Sequence, residues 1–460
     1  MGADTVVFKL AKFCSGLRFD ELDRVVVDKI KQLVIDQLAV EVACAVLPWN
    51  QSLYEYVRML DARGKSTVVG YGLKTNVEYA VLANSTFGHG FEIDDVDLRG
   101  GPTGHPGSLT VPVAIALAET RPVSGKRMIE AVVSGYEVLS AIARGIQPSS
   151  HFSRGFHAQG SGGPFASAAV AGVLRGQDIP TLANTFSLAA SHAGGIMEYA
   201  NTGGSVKRLH AGLAAMGGVR SAYLSELGWT GPPTAIEGKR GFCVAFAQEY
   251  NIEAITRDLG KKFSAPGTII KPYSCNANIT PAIDALKAVL AEAPLKSKDV
   301  ESIEVYTSSR AMKSAGGIGP EPEDKVGAQF SMHFSLAMTL VKGSNDFHAL
   351  LEADLKDPEL IGAAKKVRMI PDKEGEEKIE KGQPWARVTV VTKDERRFSS
   401  AQFAKGTPEN PLSQEEVEKK ARSLTLKALG SSEAEKLINL CRHLEEIEDV
   451  SEIARCMTKS

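Results

Sequence analysis

The chain has 460 residues, 43% of them apolar, and its 53 basic and 55 acidic residues leave a formal net charge of −2. Such a length accommodates roughly two or three domains with substantial cores, and the interleaving of the two charge signs offers no domain-scale basic face, so no nucleic-acid partner is expected. Six cysteines (Cys14, Cys44, Cys243, Cys275, Cys441 and Cys456) stand apart without a CxxC pair, which argues against a structural zinc or an iron–sulfur cluster and suits a reduced, cytoplasmic protein. The opening residues lack the basic-then-apolar layout of a signal peptide, Val6 stands where a myristoylation motif wants a hydroxyl, and no apolar run is long enough for a bilayer. A soluble protein with no membrane partner is expected.

The first half reads as successive helices. Asp20 can cap a helix carrying Leu22, Val25, Val26, Ile30, Leu33, Val34 and Leu38 at three-to-four spacing. Similar patterns run through residues 78–88, 107–120, 126–143 and 180–191. The stretches 161–172 and 211–218 are almost entirely small residues, which lets helices approach closely and predicts burial on several sides, at the centre of a helical domain or at a subunit interface. After about Gly260 the pattern changes. Residues 302–306 alternate polar with apolar, and 387–392 are β-branched and turn through 393–396 into 397–403, with helical patterns at 280–293 and 331–341. A turn-rich linker at 405–411 leads to charged amphipathic helices at 413–429 and 432–442, read as packing back on the first domain. The expected fold is mainly α with an α+β second domain: a helical domain over 1–266, an α+β domain over 267–404, and C-terminal helices over 405–460. No glycine loop follows a predicted strand or precedes a P-loop lysine, so a nucleotide site has no support, and nothing favours a pyridoxal lysine.

Five segments carry polar residues that helix packing would not place. Residues 90–106 hold four carboxylates, four glycines, two prolines and His105. Glycine and proline permit the sharp turns that bring a carboxylate to face an imidazole, the usual means of moving a proton at neutral pH. The competing reading is an acidic loop that only caps the next helix. His157 follows a turn and opens the small-residue helix, where the helix dipole lowers imidazole basicity and attracts anions; a histidine satisfied by a backbone carbonyl is the alternative. Lys207, Arg208 and His210 lead out of a glycine pair into the second small-residue helix, suiting a carboxylate ligand or, alternatively, an ordinary surface pair. Lys271 and Tyr273 lie at the expected domain boundary beside Cys275, which reads as a buried thiol rather than a nucleophile. His333 sits among aromatics, a setting more often structural. Together these residues offer lysines for an anionic substrate and histidines for proton transfer, with no metal-ligand spacing.

The ordered set of Glu-Ile-Asp-Asp, Gly-His-Pro-Gly-Ser, the His157 turn, Gly-Gly-Ser-Val-Lys-Arg-Leu-His, Lys-Pro-Tyr-Ser-Cys, Ala-Gln-Phe-Ser and Lys-Gly-Thr-Pro-Glu-Asn-Pro resembles the MmgE/PrpD family along nearly the whole chain. The resemblance implies a cofactor-free homodimer with a large helical domain, a smaller α+β lid and an active site in the cleft between them. Members include 2-methylcitrate dehydratases, cis-aconitate decarboxylases and iminodisuccinate epimerases. On the matching motifs, Glu92 stands where many members have aspartate, His105 and His157 match the active-site histidines, and Lys207 and Lys271 match two lysines that meet substrate carboxylates. Arg208, His210, Tyr273 and His333 are expected as supporting substrate contacts. The Val206-Lys207-Arg208 triplet and the Glu-Ile-Asp-Asp run are nearer to the fungal cis-aconitate decarboxylases, which leaves the substrate open. The resemblance implies a lyase acting on a small di- or tricarboxylate, with Glu92 orienting a histidine, no metal and no cofactor. An epimerase of a dicarboxylate or a catalytically silent carboxylate-binding protein are the alternatives.

Overall fold

The computed structural model describes residues 4–98, 104–146 and 148–458, and the chain divides into two compact units. The larger holds residues 1–90, 94–268 and 414–460; the smaller holds 269–413 together with the three residues 91–93.

In the larger unit the first long helix is α1 (Arg24–Cys44), preceded by a short 3-10 turn at Phe19–Glu21. Asp20 belongs to that turn and does not cap α1, because the turn closes with the Leu22 N–H on the Phe19 carbonyl and the helix starts after Asp23. Val25, expected on the buried stripe, is 67% exposed, since the stripe begins one residue later at Val26. Helices α2 (Val77–Gly88), α3 (Pro106–Ala118), α4 (Gly125–Ile146), α5 (Ala158–Arg175) and α6 (Val206–Glu226) follow. They fall on the expected segments, and every residue of α3 is buried.

The small residues do what their size predicts. A Cβ built on Gly218 of α6 would stand 2.6 Å from the Ala168 nitrogen and the Pro164 oxygen of α5, and one on Gly212 would stand 2.3 Å from the Leu82 oxygen of α2. Leu109, Leu139, Ala166 and Ala214 form one buried cluster that joins α3, α4, α5 and α6. Helix α6 is thereby pressed against α5 and α2, with side chains as small as alanine between them.

The smaller unit contains α7 (Thr280–Glu292), strand β1 (Val300–Thr307), α8 (Met332–Lys342), β2 (Val367–Pro371), β3 (Trp385–Thr392) and β4 (Arg397–Phe403). The sheet order is β2-β1-β3-β4. β1 pairs β2 in parallel, with Ile303 opposite Val367, and pairs β3 antiparallel, with Val305 opposite Val388. The β3–β4 hairpin turns where Lys393–Arg396 was expected to turn it, and α7 packs on these two strands. The parallel edge strand β2 was not foreseen.

The chain then returns to the larger unit as α9 (Gln414–Leu429) and α10 (Ser431–Arg442). Lys420 of α9 reaches the buried Asp36 of α1 at 2.6 Å, and the tail is stitched to the start of α4 by the Gly125 N–H on the Ile447 carbonyl at 2.8 Å. Among the described residues, no helix is long and apolar enough to cross a membrane.

The close helix crossing generates a prediction. Gly218→Ala inserts a methyl group into backbone that cannot move independently, so the urea midpoint should fall by the equivalent of about 2–3 kcal/mol. An unchanged midpoint would mean the crossing is looser than described.

Candidate active site

The site of the larger unit is built where α2 ends. After Gly88 the chain leaves the helix at His89, whose N–H still bonds back to Ser85 and Thr86. Gly90 packs so closely that an added Cβ would stand 2.7 Å from Cys44 and from the Phe87 carbonyl. Glu92 adopts a left-handed φ of 52°, and the chain doubles back so that Asp94 faces the histidine five residues earlier. Asp94 Oδ2 is hydrogen-bonded to His89 Nδ1 at 2.7 Å and lies 3.1 Å from His105 Nδ1, so one carboxylate charge stands beside two imidazoles. His105 Nδ1 also lies 2.6 Å from the Asp95 carbonyl. Residues 99–103 of this acidic segment lie outside the described residues.

Both rings therefore present Nδ1–H to oxygen acceptors, which leaves each Nε2 as the basic or proton-carrying atom. Burial, only partly offset by Asp94, pushes the His89 imidazole down from 6.5 to about 3, so it is neutral at physiological pH.

His105 is held at the start of α3 by its backbone. Its N–H donates to Gln159 Oε1 at 2.8 Å, and Gln159 Nε2 donates back to the His105 carbonyl at 3.0 Å. The adjacent Asp95 carboxyl accepts the Gly107 N–H at 3.0 Å and the Tyr136 hydroxyl at 2.7 Å, capping α3 from inside the core. Burial raises the Asp95 carboxyl to about 7.

His157 occupies the cap position of α5, its N–H on the Gly195 carbonyl at 3.0 Å, and its Nδ1 lies 2.9 Å from His210 Nδ1 of α6. One of these two nitrogens must carry the shared proton. Burial, reinforced by the neighbouring His89, holds His157 well below its ordinary range, and burial likewise lowers His210. The His157 ring stands 6.1 Å from that of His89, which itself stands 4.5 Å from that of His105. Three predicted residues (His105, His157 and His210) are thus gathered around a fourth histidine that was not predicted. Lys207, in the first turn of α6, is buried beside them and its charge bears on both His89 and His210.

In the smaller unit, Lys271 is almost wholly buried with its Nζ 3.4 Å from Glu92 Oε2. The Phe91 carbonyl before Glu92 accepts from Ser274 Oγ at 2.5 Å and Gln329 Nε2 at 2.7 Å. Burial pushes the Cys275 thiol up to about 12, as suits a structural thiol. His333 is half-buried on α8.

Two of the expected substrate contacts are also engaged by the protein itself. Arg208 Nε donates to the Gly90 carbonyl at 2.7 Å and its guanidinium lies 4.4 Å from the Trp49 ring, because a buried guanidinium takes a carbonyl and an aromatic face. Its work is to clamp the turn after His89. Tyr273 likewise donates its hydroxyl to Asp284 of α7 at 2.7 Å beneath Lys287. The carboxylate found on His105 is Asp94, whereas the orienting role had been expected of Glu92. Sequence reading missed His89, which sits one residue before the acidic segment, and Gln159, two residues after His157.

His89, Asp94 and His105 also form a group of metal-ligand atom types within 4.8 Å of one another. In this structure the Nδ1 of His89 is hydrogen-bonded to Asp94 Oδ2 and the Nδ1 of His105 to the Asp95 carbonyl, with Asp94 Oδ2 3.1 Å from the latter Nδ1.

Residues 9–254 match the MmgE/PrpD N-terminal domain and residues 273–446 the MmgE/PrpD C-terminal domain. The chain belongs to the MmgE/PrpD family. Within it, the chain is 25% identical to the cis-aconitate decarboxylase of Aspergillus terreus, covering 99% of this chain and 97% of the relative. It is 25% identical to the human cis-aconitate decarboxylase over 95% and 91% of the two chains. A cis-aconitate decarboxylase-like protein of Aspergillus oryzae is 24% identical over 97% and 96%. Family membership and the helical-plus-α+β architecture agree with the sequence motifs.

The neutral state of His89 has a measurable consequence. The unfolded chain takes up a proton on this residue near pH 6.5 and the folded chain only near 3, so acidification through that window favours unfolding. His89→Asn removes this proton uptake and leaves the opposing contributions of Asp95 and Glu41 in place. Between pH 6 and 4 the variant should gain on wild type by up to about 1.4 kcal/mol per pH unit. Parallel stability curves from chemical denaturation would show that His89 is not held neutral.

Proposed function

We propose that this chain is a cofactor-free lyase that removes a carboxyl group from a small unsaturated tricarboxylate of the cis-aconitate type. The observation that carries the reading is the full-length likeness to proteins named cis-aconitate decarboxylase. Loss of carbon dioxide leaves the electron pair of the broken C–C bond on carbon, and a proton must then be delivered there. His105 is assigned that delivery. Its Nδ1–H rests on the Asp95 carbonyl, which aims Nε2, and the Asp94 carboxylate 3.1 Å away would stabilise the imidazolium, while His89 and His157 are held neutral and are poor donors. After transfer, His105 is left as neutral imidazole and regains its proton from water. Lys207 and Lys271 are assigned to the remaining carboxylates through charge-assisted hydrogen bonds, and the His157–His210 pair to a neutral hydrogen-bonding contact with substrate.

Proton NMR in D₂O with cis-aconitate, citrate, 2-methylcitrate and an iminodicarboxylate tests the reading. New vinyl or methylene signals from cis-aconitate, unaffected by EDTA, are expected. Dehydration of a citrate would make the protein a dehydratase, deuterium incorporation with inversion an epimerase, and binding without turnover a silent carboxylate-binding protein. His105→Gln should cost on the order of a hundred- to ten-thousand-fold in kcat. Lys271→Met should lower kcat/KM by roughly a hundredfold, mainly through KM.

A further inference from the structure

We propose that Gln159 is a positioning residue for His105: its side-chain amide holds the main chain of that residue on both sides and so fixes where the imidazole stands. The inference deepens the proton-delivery role proposed for His105 and rests on that reading. Gln159 lies in the first turn of α5, fully buried, and its amide commits its oxygen and both of its N–H donors to one short stretch of chain. Oε1 accepts the His105 N–H at 2.8 Å, and Nε2 donates to the His105 carbonyl at 3.0 Å and to Ser108 Oγ at 2.8 Å. Ser108 Oγ in turn donates to the His105 carbonyl at 3.1 Å, which closes the ring of contacts.

The hold opposes a local preference. His105 precedes Pro106, and a residue before proline favours a ψ of roughly 120–160°, yet His105 stands at φ −118° and ψ 84°. With α3 fixed behind Pro106, relaxation of ψ toward its favoured range rotates the Cα substituents, the side chain among them, about the Cα–C bond. A rotation of that kind carries the imidazole through more than the roughly 1 Å that costs about a hundredfold in a reacting geometry. An amide that grips the N–H and the carbonyl together resists the rotation, because the two groups lie on either side of the bond that turns. The approach is close: Gly104 takes a φ of 126°, and a Cβ built there would stand 3.0 Å from Gln159 Oε1. Glycine before His105 therefore serves the clamp as well as the turn. The hold also ties two site histidines together, since Gln159 follows the cap residue His157 by two positions on the same helix.

Ring-proton labelling of histidine in an otherwise deuterated chain reads the ring position without substrate. In wild type the His89 and His105 rings, 4.5 Å apart between centroids, should give a strong nuclear Overhauser contact. Gln159→Leu removes both contacts to His105. It should abolish the ring contact, speed exchange of the His105 amide about tenfold or more, and lower kcat about ten- to a hundredfold with KM within about threefold. Ser108→Ala takes one partner from the amide but neither of its bonds to His105, and should leave the ring contact intact and kcat within about threefold of wild type. An unchanged ring contact in Gln159→Leu overturns the proposal. So does a fall in kcat as large in Ser108→Ala as in Gln159→Leu, the outcome of a merely structural role. Should the leucine variant fail to fold, Gln159→Glu keeps an acceptor for the His105 N–H and loses the donor to its carbonyl; a wild-type ring contact and kcat in that variant overturn the proposal as well. If the ring contact is lost as stated but wild type turns over no carboxylate, the clamp stands and the lyase reading fails.

Discussion

The oxygen Oδ2 of Asp94 organises the catalytic chemistry assigned to this chain. It is buried, and it receives two imidazoles within hydrogen-bond distance from different parts of the fold, one at the end of α2 and one at the start of α3. A carboxylate in that position does two things at once. It accepts the Nδ1–H of His89 and so fixes that ring's tautomer, and it sets a negative charge beside His105. Around it, burial drives His89 and His157 to the neutral state, and His105, beside the carboxylate, is the histidine proposed to deliver the proton. The difference between chemically identical side chains is thus made by environment, chiefly by burial.

The packing of glycines and alanines serves the same end. His157 and Gln159 ride on the first turn of α5, and Lys207 and His210 on the first turns of α6. Had the α5–α6 contact been built from leucines, the helix axes would stand farther apart and the 2.9 Å His157–His210 contact would be lost. Gly212 and Gly218 hold α6 against α2 and α5, and the same approach lets Gln159 grip the backbone of His105 on both its N–H and its carbonyl. Close helix packing here is a means of setting distances among polar groups at the helix ends.

Much of this was legible in the sequence. Small-residue helices, the β3–β4 hairpin and the change of character near residue 260 followed from periodicity and composition, because those signals are local. The segments carrying His105, His157, Lys207 and Lys271 stood out because polar residues beside glycine turns conflict with core packing. What escaped depended on tertiary contact. Strand β2 is five residues ending in proline, with little alternation, and becomes a strand only because β1 offers it an edge. Asp94 was visible as one of four nearby carboxylates, but which carboxylate meets which histidine is decided by the path of the turn. Arg208 and Tyr273 looked like anion contacts from their neighbours in sequence; the fold sets a carbonyl and an aromatic face against the first and an aspartate against the second, which only tertiary contact decides.

The path of that turn is itself under constraint. His89 and Asp94 are five residues apart, and bringing their side chains to 2.7 Å requires the backbone to reverse between them. The reversal places Glu92 in the left-handed region, where a side chain costs roughly 1–2 kcal/mol relative to glycine. A glycine would relieve the strain but would remove the carboxylate that stands 3.4 Å from Lys271. The surrounding structure instead holds the strained turn by its carbonyls: Arg208 takes that of Gly90, and Ser274 and Gln329 take that of Phe91. These hydrogen bonds to two consecutive carbonyls, one of them from a guanidinium, outweigh a strain of that size. Arg208 therefore has a structural part in holding this turn. By fixing Gly90 it fixes the exit from α2, and through it the His89–Asp94 contact that sets the acidic charge beside His105.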